Sequence, residues 1–251
     1  MRGAPNLNVS VVVPVYNEES TLETIISRVR ADVPNLFEII LVDDCSHDNT
    51  PQVIQRISAS EPLIRTVRHE TNQGKTAALK TAFAMVKGDV VIVQDADLEY
   101  DPAEIKHVIQ PILDGHADVV YGSRFLVRRA ARVVYFYHYL ANKFLTFLSN
   151  ALTNLNMTDV ETCYKAFRTP IICNMLIESS GFGFEVEVTA KIAKLHCRVY
   201  EVPISYYGRT YDEGKKIGTK DGIAAIFYIL YYNLFISLSG SFAPVPDEFV
   251  H

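Results

Sequence analysis

VVIVQDADLEYDP, residues 90–102, joins a run of four aliphatic residues to a cluster of carboxylates, and its reading decides the fold. Val90 to Val93 has no polar face. That is the pattern of a strand buried on both sides, and such strands belong to parallel sheets covered by helices. Comparable apolar runs lie at residues 9–13, 37–42, 64–68 and 119–122. They recur roughly every 27 residues, about the length of a strand, a crossover helix and the next strand. Helix signals fill the gaps at 22–31, 53–59, 76–86 and 103–114. Ser20 with Glu23 predicts a capping box, Thr50-Pro51 a cap followed by an N1 proline, and Pro102 the start of the fourth helix. The expected fold class is α/β, a central, mostly parallel sheet flanked by helices.

The 251 residues are 49% hydrophobic and 21% charged with a net charge of −5, enough for one domain with a full core and contrary to disorder or a disulfide scaffold. Cys45, Cys163, Cys173 and Cys197 have neither CxxC nor zinc-ligand spacing and are expected to be reduced. MRGAPNLN leads directly into a strand-like run without the features of a signal peptide, so the expected location is the cytoplasm. After Gly122 the rhythm breaks. A basic segment follows from Arg124 to Arg132, then predicted helices at 133–152 and 186–195 and a strand at 199–206 that Pro203 assigns to a sheet edge. With no Pro-, Gly- or Ser-rich linker, the organisation expected is a single domain, 1–251, with halves 1–123 and 124–219 and an apolar helix and tail at 220–251. From Ile223 to Pro246 no residue is charged, which raises the question of a membrane.

In a parallel sheet the ligand edge is formed by the strand C-termini. Asp95 and Asp97 follow the 90–93 run. They form either a solvated turn that caps the next helix or a pair sharing a hard divalent cation; their place beyond a buried strand, facing other charged strand ends, favours the metal. Asp43-Asp44-Cys45-Ser46-His47-Asp48 follows the second run. It forms either a helix-entry turn, with Asp48 or Asn49 as cap, or a site where a carboxylate accepts from a base or ribose. Gly74-Lys75-Thr76 looks like the end of a P-loop, but that motif's first glycine would fall at His69. Arg124, Arg128, Arg129 and Arg132 form one basic cluster, and Arg209, Lys215 and Lys216 another. Both flank predicted sheet ends, which favours anion binding over solvated charge runs. The acidic balance and lack of a recognition motif argue against nucleic acid.

Taken in order, PVYNEE (14–19), VDDCSHDNT (42–50), NQGKTAAL (72–79) and QDADLEYDP (94–102) resemble family 2 glycosyltransferases of the GT-A fold. YGSRF (121–125), TDVETCYKAF (158–167), FGFEVEVTAKIAK (182–194) and YEVPISYYGRTYDEGKKIG (200–218) narrow the resemblance to the branch of dolichyl-phosphate mannose synthase and bacterial polyprenyl-phosphate sugar transferases. It covers nearly the whole chain. The pattern departs at Thr219, where similar sequences carry Trp, at Gly181, where they carry Arg, and at Val186, where they carry Pro.

The resemblance implies Pro14, Tyr16, Glu18, Asp43 and Asp44 around the nucleotide, with Lys75 approaching the donor. It also implies Asp95, Asp97 and Glu99 on Mg²⁺ or Mn²⁺, and Arg124, Arg128, Arg129, Arg132, Arg209 and Lys216 on the acceptor phosphate. The implied reaction moves a hexose from GDP-mannose or UDP-glucose to a polyprenyl or dolichyl phosphate with inversion. Because that phosphate is already an oxyanion, no general base is assigned; positioning and charge balance carry the demand. The alternatives are a soluble or glycan hydroxyl acceptor, which needs a carboxylate base, a silent nucleotide-sugar-binding protein, and a P-loop-like NTPase. The uncharged stretch contains Tyr228, Tyr231, Tyr232 and Asn233, which suit a membrane–water boundary better than a full span. A peripheral protein on the cytoplasmic membrane face is expected; a buried helix or a homo-oligomer face is the alternative.

Overall fold

The computed structural model describes residues 7–126, 132, 133, 135–209 and 219–249. Among the described residues seven strands form one sheet: β1 (Val9–Val15), β2 (Leu36–Asp43), β3 (Ile64–Arg68), β4 (Val90–Val93), β5 (Val119–Ser123), β6 (Lys165–Arg168) and β7 (Val199–Pro203). Their order across the sheet is β3-β2-β1-β4-β6-β5-β7. In register, Val11 of β1 lies opposite Ile39 of β2 and Ile92 of β4. β1, β2 and β4 bury nearly every side chain, as expected of strands covered on both faces, and β7 lies at the edge that Pro203 predicts.

β6 is the strand that the repeating rhythm does not anticipate. It runs antiparallel to both β4 and β5. A reversed strand places its beginning where its neighbours end, so residues 159–165 arrive at the same sheet edge as Gln94-Asp95 and Ser123-Arg124. The small β element expected in the C-terminal half is therefore part of the main sheet.

The helices are α1 (Leu22–Asp32), α2 (Thr50–Ser60), α3 (Lys75–Phe83), α4 (Ile105–Leu113), α5 (Phe136–Thr153), α6 (Thr169–Cys173), α7 (Phe184–Ile192) and α8 (Thr219–Leu234). The capping box is not formed. Thr21 occupies the N-cap position, Leu22 N–H donates to the Glu18 carbonyl, and Glu23 instead meets Arg56 of α2 at 2.6 Å. At α2 the N-cap position belongs to Asn49, with Pro51 in the first turn. Asp48 supplies the acceptor, its Oδ1 taking the Thr50 N–H at 3.0 Å. Pro102 opens a 3₁₀ turn ahead of α4, capped by Asp101.

α5, α7 and α8 form a second packed layer beside the sheet. Leu145, Val160, Val186, Ala225 and Ile229 make its small core, and the Tyr232 ring lies over the Lys191 ammonium. The opposite faces of α5 and α8 expose Phe136, Tyr137, Phe144, Phe147, Ile223, Phe227 and Leu234. Among the described residues no helix is long and apolar enough to cross a membrane.

Candidate active site

The chain leaves β4 through Gln94, whose buried amide accepts from Tyr164 Oη at 2.5 Å and donates to the Asp95 carbonyl at 2.8 Å. This fixes the start of the acidic turn. Leu98 adopts a left-handed φ of 62°, and Glu99 N–H donates to Asp97 Oδ1 at 3.1 Å, so the turn is held by its own backbone. Desolvation, with the nearby charges of Asp95 and Glu99, pushes the Asp97 carboxyl up to about 7. Burial is the larger cause and the neighbouring carboxylates the next; a cation bound there would relieve both. Lys75, at the start of α3, reaches Asp95 at 3.0 Å and Glu185 of α7 at 3.2 Å. Burial works against the Lys75 ammonium, but the two carboxylates outweigh it and hold its pKa well above the ordinary lysine value.

Glu99, expected on the metal, already has donors on its carboxylate. Its carboxylate accepts the Tyr206 hydroxyl at 2.8 Å and the Arg209 N–H at 2.6 Å, and its carbonyl accepts Tyr207 N–H at 2.9 Å. Among the described residues no group of three His, Cys, Asp or Glu side chains is gathered to hold a metal unaided. The residues do fit a divalent cation that takes one or two carboxylates from the protein and the rest of its oxygens from substrate phosphates.

Around the first two strand ends the expected nucleotide residues come together. Asp44 accepts from Gln73 N–H at 2.9 Å and Gly74 N–H at 2.7 Å, and its Oδ1 lies 2.7 Å from His69 Nδ1. It thereby ties the end of β2 to the loop that presents Lys75. His69 also contacts Thr81 Oγ1 at 2.9 Å, so the position where a P-loop needs its first glycine is filled by a ring wedged between two elements, and the P-loop reading fails. Asp43 accepts from Ser46 N–H at 2.9 Å and pairs with Arg68 Nε at 3.2 Å. Pro14 is the penultimate residue of β1, and Tyr16 meets His47 edge to face.

The basic residues separate. Arg209, expected on the acceptor phosphate, reaches across the donor side: its guanidinium meets both Glu18 oxygens at 3.3 and 3.1 Å and the Asp97 carbonyl at 2.6 Å. Arg124 is bidentate to Asp159, 2.7 Å for each contact, and its guanidinium lies over Tyr206. Asp159 and Glu201 are the functional neighbours that sequence reasoning left without a role. Glu201 of β7 accepts from Thr158 N–H at 2.9 Å and Asp159 N–H at 3.3 Å, so the carboxylate that grips Arg124 is itself positioned. Arg132 donates to the Gly208 carbonyl at 3.0 Å. Arg124 and Arg132, with Phe125, Val133, Phe136, Tyr139 and Tyr206, line an open cavity of about 450 Å³ at the foot of α5. Arg128, Arg129, Lys215 and Lys216 lie outside the described residues. Cys163 is buried, and burial first, then Asp95, pushes its thiol well up, which suits a packing side chain rather than a nucleophile.

Two carboxylate turns and a lysine on the donor side, and an arginine-lined aromatic cavity beyond β5, two strands from β4, share one sheet edge. A family model described as glycosyl transferase family 2 matches residues 10–174. The chain belongs to glycosyl transferase family 2. Within that family it is 33% identical over 211 residues to an undecaprenyl-phosphate 4-deoxy-4-formamido-L-arabinose transferase of Aeromonas hydrophila, covering 82% of this chain and 62% of the relative. It is 30% identical over 215 residues to a dolichol-phosphate mannosyltransferase of Pyrococcus furiosus, covering 84% and 60%. With an undecaprenyl-phosphate mannosyltransferase of Micrococcus luteus it shares 28% over 230 residues, covering 88% and 92%. The chain thus spans less than two thirds of the first two relatives and nearly all of the third. Glucosyl-3-phosphoglycerate synthase of Mycobacterium tuberculosis shares the fold, with a TM-score of 0.69 at 22% identity over 92% of this chain and 83% of that one. The same synthase has been crystallised with Mn²⁺, UDP and phosphoglyceric acid, and in that form matches with a TM-score of 0.67 at 20% identity, covering 91% and 79%.

Proposed function

We propose that this family 2 chain is an inverting transferase that moves a hexose from a nucleotide sugar, GDP-mannose or UDP-glucose, to a polyprenyl or dolichyl phosphate at a membrane surface. The observation that carries the reading is the junction at Arg209. One guanidinium holds Glu18 and the Asp97 carbonyl, while its own N–H and the preceding Tyr206 hydroxyl hold Glu99. The donor turn and the wall of the aromatic cavity are thereby one structure, as a reaction between two bound substrates requires. The acceptor class comes from the undecaprenyl- and dolichol-phosphate transferases to which the chain is similar.

In this reading Asp43, Asp44, Tyr16 and Glu18 surround the nucleotide, and Lys75 approaches the diphosphate once it is drawn from Asp95. Asp97, with Asp95, would hold Mg²⁺ or Mn²⁺, which supplies Lewis-acid charge to the departing diphosphate. The acceptor phosphate enters the cavity of Arg124 and Arg132, and its oxyanion attacks the anomeric carbon. The carbon–oxygen bond to the diphosphate breaks, and the nucleoside diphosphate leaves. No proton has to be removed from a lipid phosphate, so the protein's task is to orient two anions and balance their charge. The exposed aromatic face of α5 begins beside that cavity, α8 packs against α5, and the exposed aromatic residues of both suit the interfacial region of a bilayer.

A donor panel of GDP-mannose and UDP-glucose, assayed with polyprenyl phosphate and Mn²⁺, is expected to give a lipid-linked sugar with one of them. Neither turnover nor donor hydrolysis with any nucleotide sugar would falsify the reading. Asp97→Asn is expected to lower turnover at least about 100-fold and to abolish metal-dependent nucleotide binding; unchanged activity would remove Asp97 from the metal.

A further inference from the structure

One carboxylate on the acceptor side takes no part in the steps above. Glu201 lies in β7, opposite Tyr121 of β5. Its two oxygens accept Thr158 N–H at 2.9 and 3.0 Å, and its Oε1 also accepts the Thr158 hydroxyl at 3.1 Å and Asp159 N–H at 3.3 Å. Each of these donors is neutral. Burial outweighs them and leaves the Glu201 carboxyl above the ordinary glutamate value. Holding a charge on neutral donors in a half-buried place costs stability, and such costs are met where the position of a group matters to function.

Three branches leave the pair of residues that Glu201 holds, and each ends on the arginine-lined cavity. Asp159 takes Arg124 Nε and Nη2 at 2.7 Å each, and the Arg124 backbone N–H at 3.1 Å. This side-on grip leaves Nη1 as the corner that a second anion can meet. The Thr158 carbonyl accepts Lys143 Nζ of α5 at 3.0 Å. That ammonium lies 4.5 Å from the centre of the Phe125 ring and 5.7 Å from that of Tyr139, two rings of the cavity wall. The third branch follows from the chemistry of a carboxylate, which can only accept. The Thr158 hydroxyl donates to Glu201 and so accepts from Ser123 Oγ at 2.7 Å, which in turn accepts Phe125 N–H at 3.1 Å. Asp159 already balances the charge of Arg124, so what Arg124 offers a phosphate depends on where its remaining corner points.

We infer that Glu201 is a positioning residue for the acceptor phosphate: acting through Thr158 and Asp159, it sets the direction of Arg124 and of the aromatic wall that Lys143 backs. The inference rests on the transferase reading. It requires a loss confined to the acceptor, because the donor side is held by other groups. Asp44 is fixed by Gln73 and Gly74, and Lys75 by Asp95 and Glu185. Misdirecting a group that binds substrate by a fraction of its reach is costly even when the group itself is intact.

Equilibrium binding of a short polyprenyl phosphate, farnesyl phosphate, and separately of UDP and GDP with Mn²⁺, to the full chain and to Glu201→Gln tests it. The substitution keeps the size of the side chain but sets an amide donor against the N–H groups of Thr158 and Asp159. Farnesyl phosphate is expected to bind the variant about 10-fold more weakly, the worth of a hydrogen bond to a charged group, with nucleotide binding unchanged. Ile57→Ala, in α2 beyond the other end of the sheet, controls for lost stability alone and should leave both affinities as they are. Equal farnesyl phosphate binding by Glu201→Gln, an equal loss for the nucleotide, or the same loss in Ile57→Ala overturns the inference. So does a parent chain that binds nucleotide but not farnesyl phosphate; a parent that binds neither brings down the transferase reading itself. Should Glu201→Gln fail to fold, Thr158→Val and Thr158→Ser decide the matter. The hydroxyl branch predicts weaker farnesyl phosphate binding for Val and parental binding for Ser, and parental binding by both refutes it.

Discussion

At the scale of single residues, the site depends on ion pairs that are buried and therefore intolerant of half-removal. Asp159 is fully buried against Arg124; burial would raise its carboxyl, but Arg124 outweighs this and holds it below the ordinary aspartate value. Asp159→Ala leaves a desolvated guanidinium unpaired, which costs about 3–5 kcal/mol and lowers Tm by roughly 10 °C in a chain of this size. A calorimetric Tm within about 2 °C of the parent would contradict that account. Glu161 behaves in the opposite sense. Its folded pKa is about 7 against an ordinary 4.5, so folding takes up a proton between those values and stability falls as pH rises through them. Glu161→Gln removes that dependence. Relative to the parent it should gain up to about 3 kcal/mol at pH 8 and nothing near pH 4. Denaturant melts at both pH values check this, and a difference independent of pH would refute it.

At the scale of elements, the legible parts are those with a period. β1 to β5 and α1 to α4 follow from repeated aliphatic runs and the polar residues between them, because strands buried on both faces leave little choice of residue. β6 is four residues, Lys165-Ala166-Phe167-Arg168, with charged ends and no alternation; only its fit between β4 and β5 makes it a strand. The capping box is not formed because the helix begins one residue later, with Thr21 at the N-cap, and Arg56 takes the Glu23 carboxylate. Sequence also named Arg124 and Arg209 as functional, yet could not show that one is gripped by Asp159 and the other faces Glu18, since both partners are distant in the chain. α8 illustrates the same limit: it is both a packing helix and an exposed one. Ile229 and Tyr232 are buried against α5 and α7, whereas Phe227 is 63% exposed and Phe147 of α5 is 69% exposed. Deleting residues 223–251 would therefore open a core and cannot report cleanly on membranes. Phe147→Glu with Phe227→Glu should leave Tm nearly unchanged and reduce sedimentation with anionic liposomes several-fold. Unchanged liposome binding by the folded double variant would reject the membrane face.

At the scale of the whole molecule, the nucleotide and acceptor sides are joined through Glu99. Its oxygens accept from Tyr206 and Arg209, and its carbonyl accepts from Tyr207. The segment after β7 is thus strapped to the turn after β4. Two roles for this residue make different predictions. If Glu99 is a metal ligand, as its place in QDADLE suggests, Glu99→Ala weakens Mn²⁺ and donor binding, and excess Mn²⁺ restores turnover with the acceptor KM unchanged. If it holds the two sides together, Tyr206 loses its anchor beneath the Arg124 cavity and the Arg209 backbone N–H loses its carboxylate acceptor. The acceptor KM then rises together with the donor KM, by about 10-fold for the loss of hydrogen bonds to a charged group, and added Mn²⁺ does not restore it. The bonding of Glu99 favours the second outcome. Steady-state kinetics with both substrates varied at two Mn²⁺ concentrations separate the two, and full rescue by metal would return Glu99 to the metal site.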